Sequence, residues 1–229
     1  MQIQFEPEPR RGRQGEPGGS GEPGGGPEEP GPEPSPAGRL AGLTHRRWMV
    51  PVLAELWRDG GAKFVTLHRR LAISRGGLGQ TLEHGIERGW IRRNTGYGHP
   101  MRPEYLATEK GARIGEASAG LMARLEEMQR ELDREHGEDA FELFEVVLAK
   151  WSLPVLVVIA GGADRFSLMR GAIGESITDR ALARALADLQ RVGLIERRVD
   201  VERTLRPVSR LTGRGGVLAS AACGVIEAC

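Results

Sequence analysis

RRWMVPVLAELWRDGGAKF, residues 46–64, is answered roughly a hundred positions later by AKWSLPVLVVIAGGADRF, residues 149–166. The likeness continues downstream. LGQTLEHGIERGWIRRN (78–94) is matched by LARALADLQRVGLIERR (182–198), and RPEYLATEKGARI (102–114) by RPVSRLTGRGGVL (206–218). Trp48 falls on Trp151, Pro51 on Pro154, Phe64 on Phe166, and Leu78 and Leu82 on Leu182 and Leu186. Gly89-Trp90-Ile91 falls on Gly193-Leu194-Ile195, and Pro103, Thr108 and Gly111 fall on Pro207, Thr212 and Gly215. A unit repeated this way is a duplicated domain, so function is expected from two similar sites on one chain.

Each unit is punctuated as three helices and then two short strands. The first helix carries Trp48, Val52, Leu53, Leu56 and Trp57 on one face at helical spacing. Its Pro51 sits near the first turn, where a missing N–H breaks no intrahelical bond. Gly60-Gly61 and, in the second copy, Gly161-Gly162 stop this helix. A short helix follows, Phe64 to Leu71 or Phe166 to Ala172. The third begins behind a capping hydroxyl, Ser74 or Thr178, and stops at Gly89 or Gly193. WIRRN and LIERRV then lead through a polar loop into a returning segment that ends in Thr-x-x-Gly. Helix-turn-helix followed by a basic two-stranded loop describes a winged helix-turn-helix. The expected fold class is therefore mainly α with small β wings (α+β), as two tandem winged helix-turn-helix domains joined by a long helix.

The segment KWSLPVLVVIAGGADRFSLMRGAIGESITDRALARALADLQRVGLIERRV, with its closing RPVSRLTGRG, resembles the HxlR-type winged helix regulators of bacteria. The resemblance rests on the opening Lys-Trp helix, the Arg-Phe step into the second helix, "GLIER" and "LT-x-x-G". It covers roughly residues 150–218, and a weaker copy covers roughly 46–115. Such proteins usually carry one winged helix and pair as homodimers, whereas this chain carries two. The aromatic usual before the closing strand is kept as Tyr105 but is Ser209 in the second copy. The resemblance implies sequence-specific double-stranded operator DNA as the partner.

Charge provides an independent argument. The net charge is +1, from 32 basic and 31 acidic residues, but the charges are segregated. A tail over 1–38 has about 3 basic and 7 acidic residues, and a first domain over 39–115 about 14 and 6. A helical connector over 116–149 has about 3 and 10, and a second domain over 150–229 about 12 and 8. Basic modules on acidic spacers are the footprint of a polyanion binder. The candidate DNA-contacting residues lie on the third helices and wings. In the first unit they are Ser74, Arg75, Gln80, Arg92, Arg93 and Arg102. In the second they are Thr178, Asp179, Arg180, Arg184, Arg197, Arg198, Arg203 and Arg206. Gly76, Gly77, Gly79 and Gly85 weaken the first unit's third helix, less so if the first two lie in the turn ahead of it. Ala181, Ala183, Ala185 and Ala187 favour the second, which is expected to read bases while the first holds the backbone.

Other classes find little support. The five histidines, at 45, 68, 84, 99 and 136, show no metal-ligand spacing, and no Gly-Gly pair precedes a Lys-Ser/Thr. Neither catalysis nor a cofactor is expected. No apolar run approaches the roughly 18 residues of a membrane span, and MQIQFEPEPRRGR lacks a signal-peptide core, so a cytoplasmic, membrane-free protein is expected. Residues 6–38, dominated by Gly, Pro and Glu, are read as disordered. Cys223 and Cys229 read as inert thiols.

The connector allows two readings. Leu121, Leu125, Met128 and Leu132 recur at steps of four and three along a helix from Thr108 to about His136. The seam either packs on its own domains or makes a homodimer. Two functions from different classes also remain: a sequence-specific transcriptional regulator, and a tandem winged-helix module that binds protein without reading DNA. Cationic early turns on the third helix favour the regulator.

Overall fold

Each half of the chain runs through four helices, a wing and a further helix in a computed structural model that describes residues 35–95, 103–136, 142–200 and 206–229. The first half comprises α1 (Pro36–Leu43), α2 (Met49–Asp59), β1 (Ala62–Lys63), α3 (Phe64–Leu71), α4 (Arg75–Glu87), β2 (Ile91–Asn94), β3 (Glu104–Ala107) and α5 (Glu109–His136). The second comprises α6 (Glu142–Val147), α7 (Ser152–Ala160), α8 (Phe166–Ile173), α9 (Asp179–Arg191), β4 (Ile195–Asp200), β5 (Arg206–Leu211) and α10 (Gly213–Ala228).

Local chemistry explains the boundaries. Gly60, left-handed at φ 70°, ends α2, and Gly89 and Gly193 turn the chain into the wings at φ 67° and 69°. Ser74 and Thr178 cap α4 and α9, each oxygen accepting an N–H three residues on, from Gly77 and Ala181, at 3.2 Å. Because α4 starts at Arg75, Gly76 and Gly77 lie inside the helix rather than in the turn before it. At the chain's start Ser35 caps α1, so Pro36, Ala37 and Gly38 are helical although the sequence placed them in a disordered tail. Pro36 suits a first helical position because its missing N–H would be unpaired there anyway.

The wings are antiparallel. β2 meets β3 with Ile91 opposite Ala107 and Asn94 opposite Glu104, and β4 meets β5 with Ile195 opposite Leu211 and Asp200 opposite Arg206. A third strand that sequence reading missed, β1, lies on the other side of β3 and puts Ala62 opposite Tyr105. In the second half the same place holds a single backbone bond, Ser209 N–H to Asp164 C=O at 2.8 Å.

Both Thr-x-x-Gly motifs act as staples. Thr108 donates its hydroxyl to the Gly89 carbonyl at 2.7 Å, and the same oxygen accepts the Gly111 N–H at 3.0 Å. Thr212 repeats this with Gly193 at 2.8 Å and Gly215 at 3.1 Å. The wing's exit is thereby tied to its entrance and the next helix is started. Glycine is required three residues on: a Cβ at Gly111 would lie 1.8 Å from the Trp90 carbonyl oxygen, and one at Gly215 would lie 1.9 Å from that of Leu194.

Packing of the long helices organises the core. α5 lies against α2 and α10, while α1 lies against α7 and α10. α5 and α10 follow the wings of the two repeats, so equivalent helices of the two copies meet within one chain. Leu121, Leu125 and Met128 are buried there. The α5 seam thus faces its own chain. α7 is apolar on nearly every side because α1, α8, α9 and α10 all surround it.

Candidate nucleic-acid interface

The first turns of α4 and α9 and the first strands of the wings gather most of the expected contact residues. On α4, Arg75 is exposed and has no partner among the described residues, while Gln80 accepts a 3.1 Å bond from Arg46 Nη1. On α9, Arg180 is likewise exposed and unpartnered among the described residues. Arg184, one turn on, is braced by Asp188, with Nε 2.9 Å from Oδ2. Asp179, still exposed, accepts Arg170 Nε at 3.1 Å, and Arg170 also donates to the Gly174 carbonyl at 2.7 Å. That pair joins the end of α8 to the start of α9, so Asp179 serves the helix-turn-helix angle. Ser74 and Thr178 spend an oxygen lone pair on their caps, which leaves the hydroxyl hydrogen to meet an acceptor.

On the wings, Arg92 and Arg93 of β2 and Arg197 of β4 are exposed and unpaired among the described residues. Arg198 is held by Glu196 at 2.8 Å. Neighbouring strand residues point to opposite faces, so Arg92 and Arg93 lie on opposite faces of their wing, as do Arg197 and Arg198 of theirs. Arg206 opens β5 opposite Asp200. Arg102 and Arg203 fall outside the described residues. Exposed cations without a partner among the described residues thus stand at Arg180 on α9 and Arg197 on β4 in one unit, and at Arg75 on α4 and Arg92 and Arg93 on β2 in the other.

Sequence reading missed two supporting residues, Arg46 and Arg170. Neither lies in a third helix or wing: Arg170 sits in α8, one element ahead of α9, and Arg46 precedes α2, three elements ahead of α4. It also missed a ring cluster behind α4. His84 meets Trp90 edge-on at 6.0 Å between centroids, and His45 lies 5.6 Å from His84. Partial desolvation, then Lys150, His84 and Arg46, hold the His45 imidazole below its ordinary pKa. Trp48 and Trp151, at the starts of α2 and α7, are partly buried, and each lies under its neighbouring cation, Arg47 at 5.1 Å and Lys150 at 4.6 Å. Cys223 and Cys229 are free, and burial pushes the Cys229 thiol up, away from the reactive thiolate.

The family model for HxlR-like helix-turn-helix proteins matches residues 43–133 and, separately, residues 146–224. The chain belongs to the HxlR-like helix-turn-helix family. Searches of curated proteins and of solved structures returned no match. Membership makes this chain a DNA-binding transcriptional regulator, with two HxlR-like units on one polypeptide. The first HxlR-like match includes most of α5, the helix that the first unit presents to the second. Among the described residues no helix is long and apolar enough to cross a membrane.

Proposed function

We propose that this chain is a sequence-specific operator-binding regulator in which α9 reads base edges and the first unit's wing grips the backbone. Arg180 carries the reading. It is an exposed cation with no acid partner among the described residues, on the first turn of a helix capped by Thr178. An arginine so placed meets the N7 and O6 acceptors of guanine in the major groove. Thr178 and Arg75 contact phosphate, and Arg92 and Arg93 contact phosphate or the minor groove, as do Arg102, Arg197, Arg198, Arg203 and Arg206. Selection of bound sequences from a random duplex pool tests it: a shared motif is expected, and recovery of unbiased sequence would reject operator reading.

The α5–α10 pairing supports a further part of the reading, that the two units form an internal pair. Two copies of a pairing domain on one chain meet at high effective concentration and so combine with each other first. The competing module reading draws on Val65 and Leu168, which are 66% and 51% exposed on α3 and α8. It requires that duplex DNA not be bound even at low salt.

A further inference from the structure

The two copies differ at one position where the fold uses it most. Tyr105 and Ser209 hold equivalent places, each in the closing strand opposite an arginine, Arg93 in one wing and Arg197 in the other. With the aromatic present, Tyr105 is buried, the neighbouring-helix leucine Leu82 is 1% exposed and Phe64 is partly covered. With serine instead, Leu186 is only half-buried and Phe166 is 39% exposed. Between them a cleft of about 290 Å³ opens, with an apolar lining of Phe166, Leu186, Ile195 and Pro207. Gln190, Arg197 and Ser209 supply its polar edge, and Arg197 has no acid partner among the described residues.

We propose that this cleft binds a small aromatic acid, one ring bearing a carboxylate. The ring occupies the space that tyrosine fills in the first unit, and the carboxylate pairs with the Arg197 guanidinium, whose planar fork suits two parallel bonds to it. The volume lies at the small end of ligand sites, which limits the occupant to a single ring. α9 also contributes Ala183 and Ala187 to the lining. Reading helix and wing are thus two walls of the same cleft, and an occupant ties up Arg197 and lowers DNA affinity. That last consequence rests on the operator-binding reading; ligand binding itself does not, and is measured without DNA.

The test is calorimetric titration of the full chain with 4-hydroxybenzoate, beside benzyl alcohol (ring without charge) and acetate (charge without ring). Saturable binding of the acid is expected, weaker by tenfold or more for either control. Ser209→Tyr should restore the aromatic and weaken binding at least tenfold. Ala187→Phe, an exposed position on the rim, provides the same block should the first variant fail to fold. No saturable binding up to about 10 mM, equal binding of acetate, or undiminished binding in the folded variants would overturn the proposal. Absence of DNA retardation by the ligand-free protein, with ligand binding intact, would fault the operator reading alone.

Discussion

Arg180 and Arg184 look alike in sequence, yet their surroundings separate them. Arg184 is already engaged by Asp188, and Arg180 is not. Arg180→Ala is expected to cost about 1–3 kcal/mol on the selected operator and to relax sequence preference. Arg184→Ala should cost less, since Arg184 is already paired within the chain and Asp188 keeps Arg191, at 3.1 Å, as its partner. Arg93→Ala should weaken operator and scrambled duplex alike. Retardation assays on the two duplexes side by side decide; a sequence-selective loss at Arg93 with a uniform one at Arg180 would reverse the assignment. The staples make a different residue-scale prediction. Gly111→Ala or Gly215→Ala drives a methyl into a backbone carbonyl, which has no rotamer to escape by. Each should destabilise by at least about 1–3 kcal/mol, read as a fall in the denaturation midpoint.

Elements differ in how far their sequences announce them. α2 was legible from its apolar spacing, early Pro51 and glycine stop, and α4 and α9 because a capping hydroxyl, apolar spacing and a glycine stop agree with one another. α10 was not: Gly213, Gly215, Gly216 and Gly224 make it a poor helix by propensity. It forms because Leu218, Ala219, Ala222, Val225 and Ile226 are buried by α5 and α7, information that lies outside its own residues. β1 escaped notice for a similar reason, since two residues carry no period and only pairing with β3 makes them a strand. Among the candidate contacts, helix and strand positions were legible, but side-chain pairing was not. Nothing in the spacing says that Asp179 turns to Arg170. The glycines of α4 give the element-scale prediction. Cβ atoms at Gly76 and Gly79 would meet nothing, whereas one at Gly85 would lie 2.5 Å from Ile91. Gly76→Ala and Gly79→Ala should each stabilise by up to about 1 kcal/mol, and Gly85→Ala should destabilise; thermal melts of the three variants check the contrast.

Taken whole, the chain carries its positive charge on the two winged units, so DNA affinity should fall steeply with salt. Between 50 and 200 mM the expected loss is roughly a thousandfold or more, measured by titrating duplex DNA at several ionic strengths. A flat dependence would deny that phosphate contacts dominate. Light scattering should find the mass of one chain across the concentrations used. Leu125→Glu should lower stability without halving any mass, because Leu125 is buried within the chain itself. A dimer mass independent of concentration would reject the internal pair.

The meeting of α5 with α10 inside one polypeptide also governs dose. A regulator assembled from separate subunits occupies its site in proportion to the square of a scarce monomer, and so responds with a threshold. Here both halves are synthesised together, so occupancy should follow a simple hyperbola with a Hill coefficient near unity. The two halves need not match, and neither need their half-sites. An asymmetric pair imposes a direction on the DNA it binds, and reversing the operator relative to its promoter would present the opposite unit to the transcription start.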